Sequence, residues 1–254
     1  MTVLDQAGGL KGQSQRVRLS IEQAGMRGNL MKSYGKSAFR ASSLLGGRVN
    51  VVLMAAAIVI SLLVLTGYTY WPRSPVRLVQ GENLAMSGLY ASWKKGDVMV
   101  LVRHGERCDR SSNECLGAND GITRYGSSVS TDVGRSFSEL GLAHTDVITS
   151  PLTRTAQTAQ AMFGHPMEAQ EWLYNCDEKM LNEVMAHKSL NRNLILVTHS
   201  GCIGQLESLH GYPHAATSEY DSALFISLDS QGKPVIRGII NPEDWTQLAQ
   251  QKSR

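Results

Sequence analysis

The chain has 254 residues, of which 42% are hydrophobic and 19% are charged, and these values are ordinary for a folded globular protein. They exclude collagen-like, mucin-like and wholly disordered chains, and the length allows one or two domains. The net charge of +3 is too small to indicate a nucleic-acid-binding protein.

The charges are distributed unevenly along the chain. Residues 1–50 carry eight Lys and Arg but only two acidic residues, Asp5 and Glu22, whereas residues 51–254 carry 17 basic and 20 acidic residues. We therefore expect the two parts to lie in different environments. Residues 1–48 are rich in Gly, Ser, Gln and Arg, and this composition predicts a basic tail that is mostly disordered.

A membrane-spanning helix is predicted directly after this tail. The 21 residues from Val51 carry no charge, and a helix of that length spans a hydrocarbon core of about 30 Å. We assign residues 49–71 to a transmembrane signal anchor, with Tyr68, Tyr70 and Trp71 at the level of the headgroups. A buried soluble helix and a cleaved signal peptide are the alternatives. A buried soluble helix fits poorly, because the run has no polar face. A cleaved signal peptide also fits poorly, because the run is too long and no cleavage pattern follows it.

The basic residues before the helix also predict its orientation. Flanks rich in Lys and Arg stay in the cytoplasm, so we expect a cytoplasmic N-terminus and residues 72–254 outside the cytoplasm. A start at Met31 instead of Met1 would shorten the tail and leave this rule intact. Residues 72–95 are predicted to be a stalk, and residues 96–254 a single domain.

Within that domain, predicted strands alternate with predicted helices. The strands are Asp97–Arg103, Val147–Ser150, Asn193–Thr198 and a hairpin of Ala223–Asp229 with Pro234–Ile239. The helices are one capped by Thr123, one opened by Ser150 and Pro151, one near Asp177–His187 and one capped by Ser200. This alternation predicts an α/β fold with a mostly parallel sheet flanked by helices. Ligands bind such sheets at the carboxyl ends of the strands.

Cationic and imidazole side chains stand at three of these strand-to-helix junctions. Arg103 and His104 come at the end of the first strand, Arg154 lies in the first turn of a helix, and His199 follows another strand. Arginine binds phosphoryl oxygens through paired donors, and a helix N-terminus favours anions. An imidazole beside two such arginines is suited to accept a phosphoryl group.

The motifs at these junctions resemble those of the histidine phosphatase (phosphoglycerate mutase-like) superfamily. They are LVRHGER at 101–107, GITRYG at 121–126, TSPLTRTAQTA at 149–159 and VTHSG at 197–201. The stretches around the cysteines resemble one subgroup in particular, the lipopolysaccharide core heptose-phosphate phosphatases of Gram-negative bacteria. The resemblance implies a phosphoglycerate mutase-like fold and an enzyme of the bacterial inner membrane whose domain lies in the periplasm.

The resemblance also implies the roles of the site residues. His104 would be the nucleophile that forms a phosphohistidine, while Arg103, Arg154 and His199 would surround the transferred phosphoryl group. Arg107 is a further candidate contact to the substrate. We expect His104 to attack as a neutral imidazole and His199 to be its charged or donating partner. No metal or cofactor is implied, and the expected substrate is a phosphorylated sugar, a heptose phosphate of the lipopolysaccharide core.

The proton donor for the leaving group is left open by these motifs. Asp177, Glu178 and Glu171 are candidates in the region after the third strand, and Glu106 is another. Asn175 stands where an Asp is expected from the subgroup. This gap keeps two alternatives open, namely a phosphatase-fold binding module that is catalytically weak or inactive, and a phosphatase for another phosphorylated substrate.

All four cysteines follow the predicted membrane span. They are Cys108, Cys115, Cys176 and Cys202. An even number of cysteines outside the cytoplasm indicates disulfides, and three pairings are possible. Cys108 with Cys115 is the natural local pair, which leaves Cys176 with Cys202; four reduced buried thiols are the alternative. No CxxC or paired-His spacing indicates a zinc site.

Overall fold

The computed structural model describes residues 43–71 and 73–252. Its contacts divide the chain into two compact units, one ending at Leu65 and one beginning at Thr66. The predicted basic tail lies outside the described residues up to residue 42. Residues 43–48, which we also assigned to the tail, are helical instead.

The first helix, α1, runs over Ser43–Tyr70. Its segment Val49–Tyr70 has a mean hydropathy of 2.6, and it is the one helix in the described part of the chain that is long and apolar enough to cross a membrane. Every side chain from Val49 to Trp71 is exposed. A helix that is apolar on all sides and unburied by its own protein is typical of a segment that lies in lipid.

A six-stranded sheet forms the centre of the second unit. Its strands are β1 (Val98–Arg103), β2 (Thr145–Thr149), β3 (Glu168–Ala169), β4 (Asn193–Thr198), β5 (Ala223–Leu228) and β6 (Pro234–Ile240). The spatial order is β3-β2-β4-β1-β5-β6. The first four in this order pair in parallel, and β5 is antiparallel to both of its neighbours. The predicted mostly parallel sheet and the predicted hairpin of β5 and β6 are thus confirmed.

Helices cover both faces of this sheet. They are α2 (Asn83–Ser87), α3 (Leu89–Lys95), α4 (Arg124–Leu140), α5 (Thr153–Phe163), α6 (Trp172–Asn175), α7 (Met180–His187), α8 (Ser200–Leu209) and α9 (Trp245–Lys252). Short 3-10 turns lie at Cys108–Arg110 and Pro242–Asp244. The predicted α/β fold with helices flanking the sheet is confirmed.

The central strand β1 divides the core into two apolar clusters. Val98, Val100 and Val102 belong to the cluster that includes Phe137 and Trp245. Met99 and Leu101 belong to the cluster under α7 and α8. Side chains alternate between the two faces of a strand, so a strand buried on both faces must be apolar throughout. This explains why β1 and β4 are continuous apolar runs in the sequence.

The predicted stalk at residues 72–95 is largely part of the folded domain. Leu78 is fully buried and its backbone N–H donates to the carbonyl of Ile239 in β6, at 2.9 Å. Leu89 and Trp93 of α3 are also buried in the cluster that contains Val98. The stalk assignment was wrong from Arg77 onward, because these apolar residues bury against partners that lie more than a hundred residues away in sequence.

Two of the three predicted helix caps differ in the structure. Thr123 caps α4 as predicted, and its hydroxyl accepts a hydrogen bond from the N–H of Gly126. By contrast, α5 begins only after Leu152, and Ser150 turns towards the carboxyl end of β4 instead of capping the helix. His199 occupies the N-cap position of α8, and the predicted cap Ser200 is instead the first helical residue.

Both expected disulfides are formed. Cys108 is bonded to Cys115, with their Cα atoms 5.2 Å apart, and Cys176 is bonded to Cys202, with Cα atoms 4.3 Å apart. The first closes a short loop after β1. The second ties the end of α6 to the first turn of α8.

We expect no free thiol in protein isolated from an oxidising compartment. Thiol blocking followed by intact-mass measurement should leave the mass unchanged without reductant and should modify four cysteines after reduction. Replacing both Cys176 and Cys202 by Ala should lower the free energy of unfolding by about 2–4 kcal/mol, because the bond restricts the unfolded chain. Four modified thiols without reductant would contradict the pairing.

A buried carboxyl group makes the stability of the domain depend on pH. The Asp221 side chain accepts a hydrogen bond from Ser130 Oγ at 2.7 Å, and burial raises its pKa from 3.8 to about 7. Between these two values the folded state holds a proton that the unfolded chain has lost. The free energy of unfolding therefore falls as the pH rises through this window.

Asp221→Asn should remove this dependence. Relative to wild type, the variant should gain stability when chemical denaturation is repeated at pH 5 and then at pH 8, because Asn carries no charge to bury. Asp146→Asn is the matched control: the hydrogen-bonded Arg192 holds the pKa of Asp146 below its usual value, so this carboxyl is ionised at both pH values and the difference from wild type should be the same at each. An Asp221→Asn difference that is the same at both pH values would refute the expectation.

Candidate active site

The two site histidines leave the sheet from adjacent parallel strands. Arg103 is the register partner of Thr198, so β1 and β4 end side by side. The N–H of His104 donates to the carbonyl of Thr198 at 3.0 Å and extends the pairing by one residue. As a result, the rings of His104 and His199 lie edge to face with their centroids 5.4 Å apart.

The next strand brings an arginine to the same edge. Thr149 at the end of β2 pairs with Val197, and the N–H of Ser150 donates to the Val197 carbonyl at 3.0 Å. The chain then turns into α5, whose first turn carries Arg154. Its Nη2 lies 3.5 Å from His199 Nδ1. The prediction that the strand ends converge on one site is confirmed.

These side chains line one cavity of about 400 Å³. All five residues that we proposed for catalysis or substrate contact lie around it, namely Arg103, His104, Arg107, Arg154 and His199. It is also lined by Arg110, Tyr174, Asn175, Cys176 and Ser200, for which the sequence suggested no contact to the substrate.

His104 is held as a neutral imidazole with a defined tautomer. It is 3% exposed, and its Nδ1 lies 2.8 Å from the carbonyl oxygen of Gly105. A carbonyl only accepts hydrogen bonds, so Nδ1 carries the proton and Nε2 keeps its lone pair. Burial lowers the pKa of His104 to about 3, helped by the nearby charges of Arg154 and Arg103. This is the protonation state that the predicted attack by a neutral imidazole requires.

His199 is also neutral in the protein alone. Burial and the charge of Arg154 lower its pKa to about 4. Because Arg154 can only donate, His199 Nδ1 accepts, and its Nε2–H donates to Ser150 Oγ at 2.8 Å. A further positive charge is unfavourable on a partly buried imidazole among arginines. The prediction that His199 is a charged or donating partner concerns the enzyme with a phosphoryl group bound, and it stays a prediction.

Arg103 and Arg154 are partly buried, and each keeps N–H donors that no described residue accepts from. Arg103 lies over the ring of Tyr220, with its Cζ 3.9 Å from the ring centroid, and donates to the carbonyl of Ser218. The Nε atoms of Arg103 and Arg154 are buried and have no hydrogen-bond partner in the described structure. Buried polar groups are normally paired, so these two N–H groups are a local cost of the site.

Gly105 allows the backbone after His104 to approach Ser130 and Asp221 closely. A Cβ at this position would lie 2.9 Å from Ser130 Oγ and 3.3 Å from Asp221 Oδ2. The N–H of Gly105 donates to Thr158 Oγ1 in α5 at 2.8 Å. The carbonyl that fixes the His104 tautomer is therefore itself held in place by packing and by a hydrogen bond.

The four carboxylates that we considered as proton donors lie away from this cavity. Glu106 accepts hydrogen bonds from Thr123 Oγ1 at 2.6 Å and Asn113 Nδ2 at 2.8 Å, and it faces a different cavity. Glu171, Asp177 and Glu178 are exposed and do not line the site.

In the part of the chain that is described, no carboxylate lines the cavity at all. No group of three or more His, Cys, Asp or Glu side chains among the described residues could hold a metal ion.

Sequence reasoning missed several residues of the site. Ser150 was interpreted as a helix cap, and its contact with His199 depends on the pairing of β2 with β4. Tyr220 follows no recognisable motif and reaches Arg103 because β5 lies beside β1. Arg110 could have been considered, since it lies three residues after Arg107 in the loop that the predicted Cys108–Cys115 bond would close.

Comparison with known proteins agrees with this geometry. The sequence profile of the histidine phosphatase superfamily (branch 1) matches residues 99–177, which include Arg103, His104 and Arg154. A lipopolysaccharide core heptose(II)-phosphate phosphatase from Escherichia coli is 28% identical over 169 residues, covering 65% of this chain and 80% of that protein.

Among solved structures, a phosphoglycerate mutase from Bacillus anthracis shares 14% identity, covers 61% of this chain and 98% of that one, and superposes with a TM-score of 0.46. The profile match and the related sequence agree with the arrangement of the strand ends, and together they support a phosphatase of the histidine phosphatase superfamily.

Proposed function

We propose that this phosphatase is anchored in the bacterial inner membrane and hydrolyses phosphomonoesters in the periplasm through a phosphohistidine at His104. The observation that carries the mechanism is the buried, neutral His104, which keeps its Nε2 lone pair beside two arginines with unpaired donors. A nucleophile needs that lone pair, and a transferred phosphoryl group needs those donors.

In the first step, Nε2 of His104 attacks phosphorus, the new P–N bond forms, and the bond to the sugar oxygen breaks. Arg103 and Arg154 stabilise the charge on the equatorial oxygens of the phosphoryl group. The Nδ1–H bond to the Gly105 carbonyl stabilises the positive charge that develops on the ring. The departing oxygen takes a proton from water in this proposal, since no carboxylate of the described residues lines the cavity.

In the second step, water attacks the phosphohistidine and releases inorganic phosphate, which restores the lone pair on His104. His199 lies between Ser150 and Arg154 and completes the wall of the phosphoryl site. A bound phosphate dianion would raise the pKa of His199, because an opposite charge favours the protonated ring. His199 could then donate from Nδ1 to a phosphoryl oxygen.

The proposed substrate is a phosphorylated heptose of the lipopolysaccharide core. Support comes from the related E. coli protein, whose name states that substrate. The two disulfides favour a compartment outside the cytoplasm, and the apolar helix Val49–Tyr70 is suited to anchor the domain there. Arg107 is proposed to contact the substrate, because it lines the same cavity as His104.

His104→Ala should abolish both turnover and the phosphoenzyme. We expect kcat on a phosphomonoester to fall at least about a thousandfold, because no second nucleophile replaces the imidazole. Labelled phosphate trapped on the wild-type protein by an alkaline quench should be absent from the variant. His199→Ala should slow phosphoenzyme formation severely without removing the acceptor.

His165→Ala is the matched control, since His165 is exposed and does not line the cavity. It should keep full turnover. A His104→Ala protein that still turns over at the wild-type rate would exclude this mechanism. Wild-type protein that neither turns over phosphomonoesters nor traps phosphate would favour the inactive binding module.

The orientation can be tested with two reporters fused after Arg254. β-Lactamase at that position should protect cells against ampicillin, because the basic N-terminal flank stays in the cytoplasm and the domain is exported. A fluorescent protein that matures only in the cytoplasm should stay dark. The opposite pair of results would overturn the proposed topology, and deletion of residues 51–65 should abolish the protection.

A further inference from the structure

The cavity carries more positive charge than one phosphoryl group requires. Arg103 and Arg154 match the two charges of a phosphomonoester, yet Arg107 and Arg110 line the same cavity. We propose that Arg110, positioned beside Arg107, binds a second anionic group of the substrate, so that the enzyme selects esters carrying another phosphate or a carboxylate near the phosphate that is removed. This inference rests on the proposed function and names the substrate class for that site.

Arg107 and Arg110 differ in how many of their guanidinium donors are free to bind the substrate. Arg107 already donates through Nε and Nη2 to both carboxylate oxygens of Asp109, with a distance of 2.7 Å for the Nε bond. Arg110 is exposed and makes no side-chain hydrogen bond or ion pair with a described residue. Its guanidinium group therefore has all of its donors available to an anion. Arg107 has fewer donors left for the substrate, because two of its nitrogens already bind Asp109.

The loop that carries these arginines is held in place before any substrate arrives. The 3-10 turn Cys108–Arg110 begins at a disulfide-bonded cysteine, and the N–H of Cys108 donates to the carbonyl of Gly121 at 3.0 Å. Isolated β-bridges join Arg107 to Ile122 and Cys115 to Thr123. A fixed loop loses little conformational entropy on binding, so a charge placed on it contributes more to affinity.

The positive charges also repel each other across the cavity. Arg110 and Arg107 both contribute to the lowered pKa of Arg103, whose main cause is burial, and Arg107 likewise acts on Arg154 and His199. The fold holds these like charges together, and bound anions reduce the repulsion between them. One phosphate removes only part of this repulsion, so a second anionic group on the substrate is favoured. Asp109 offsets part of this charge through its ion pair with Arg107, but no carboxylate of the described residues lines the cavity itself.

The test compares substrates that differ in one anionic group. The ratio of kcat/KM for glucose 1,6-bisphosphate to that for glucose 6-phosphate should favour the bisphosphate in the wild-type protein. Arg110→Ala should lower this ratio about tenfold, which is what one charge-assisted hydrogen bond contributes. Arg110→Lys should retain part of the preference, and Arg110→Glu should reverse it. 6-Phosphogluconate, in which a carboxylate is the second anion, shows whether the subsite takes carboxylates as well as phosphates.

Arg135→Ala is the control for a loss of net charge, because Arg135 pairs with Asp132 and does not line this cavity. It should leave the ratio unchanged. A ratio near one in the wild type, or one that Arg110→Ala does not change, would overturn the second-anion subsite while leaving the phosphatase mechanism intact. Absence of turnover on every ester, together with absence of a trapped phosphoenzyme, would overturn the proposed mechanism and this inference together.

Discussion

The parallel pairing of β1 with β4 is the constraint on which the rest of the site depends. It places Arg103 opposite Thr198, so that His104 and His199 emerge at the same edge of the sheet. The pairing of β2 with β4 then adds Ser150 and Arg154 to that edge. Parallel strands all end on one side, and the side chains that follow them meet even though they are up to 96 residues apart in sequence.

Burial converts this arrangement into reactivity. An imidazole in water near pH 6 is partly protonated and a poor nucleophile, whereas the pKa of His104 is about 3 and its ring stays neutral. The same burial leaves Nε atoms of Arg103 and Arg154 without partners. The protein thus holds groups that are unfavourable in its own interior and that a phosphoryl group would satisfy. Such local cost is common at catalytic sites, where donors are oriented before the substrate binds.

The covalent links outside the sheet act on the walls of the cavity. Cys176 lines the cavity and is bonded to Cys202 in α8, three residues after His199. Cys108 begins the turn that carries Arg110 and is bonded to Cys115. Loops are usually the most mobile parts of a fold. The first of these bonds ties the end of α6 to α8, and the second closes the loop that carries Arg110 on itself. We infer that the bonds fix the shape of the cavity as well as stabilising the domain.

Local sequence predicted the elements whose signals are local. The apolar runs of β1 and β4, the Thr123 cap of α4 and the hairpin of β5 and β6 were all predicted, because periodicity and turn residues act within a few positions. The helix start at Ser150 was wrong, because its hydroxyl contacts His199 instead of the helix backbone. The stalk was wrong from Arg77 onward, because Leu78 and Trp93 belong to a cluster that includes residues distant in sequence, such as Phe225 and Trp245.

The sequence by itself determined the fold class, the candidate membrane span and the residues that stand at the strand ends, and it favoured the local pair of Cys108 with Cys115. Motifs and apolar patterns carry this information because they reflect the backbone next to them. Only the tertiary structure decided the protonation of His104 and His199, the position of Arg110 beside the site, and the distance of Glu106 and Asp177 from it. These properties depend on burial and on contacts between strands and loops that are remote in sequence, since a pKa is set by the surroundings of a group in space.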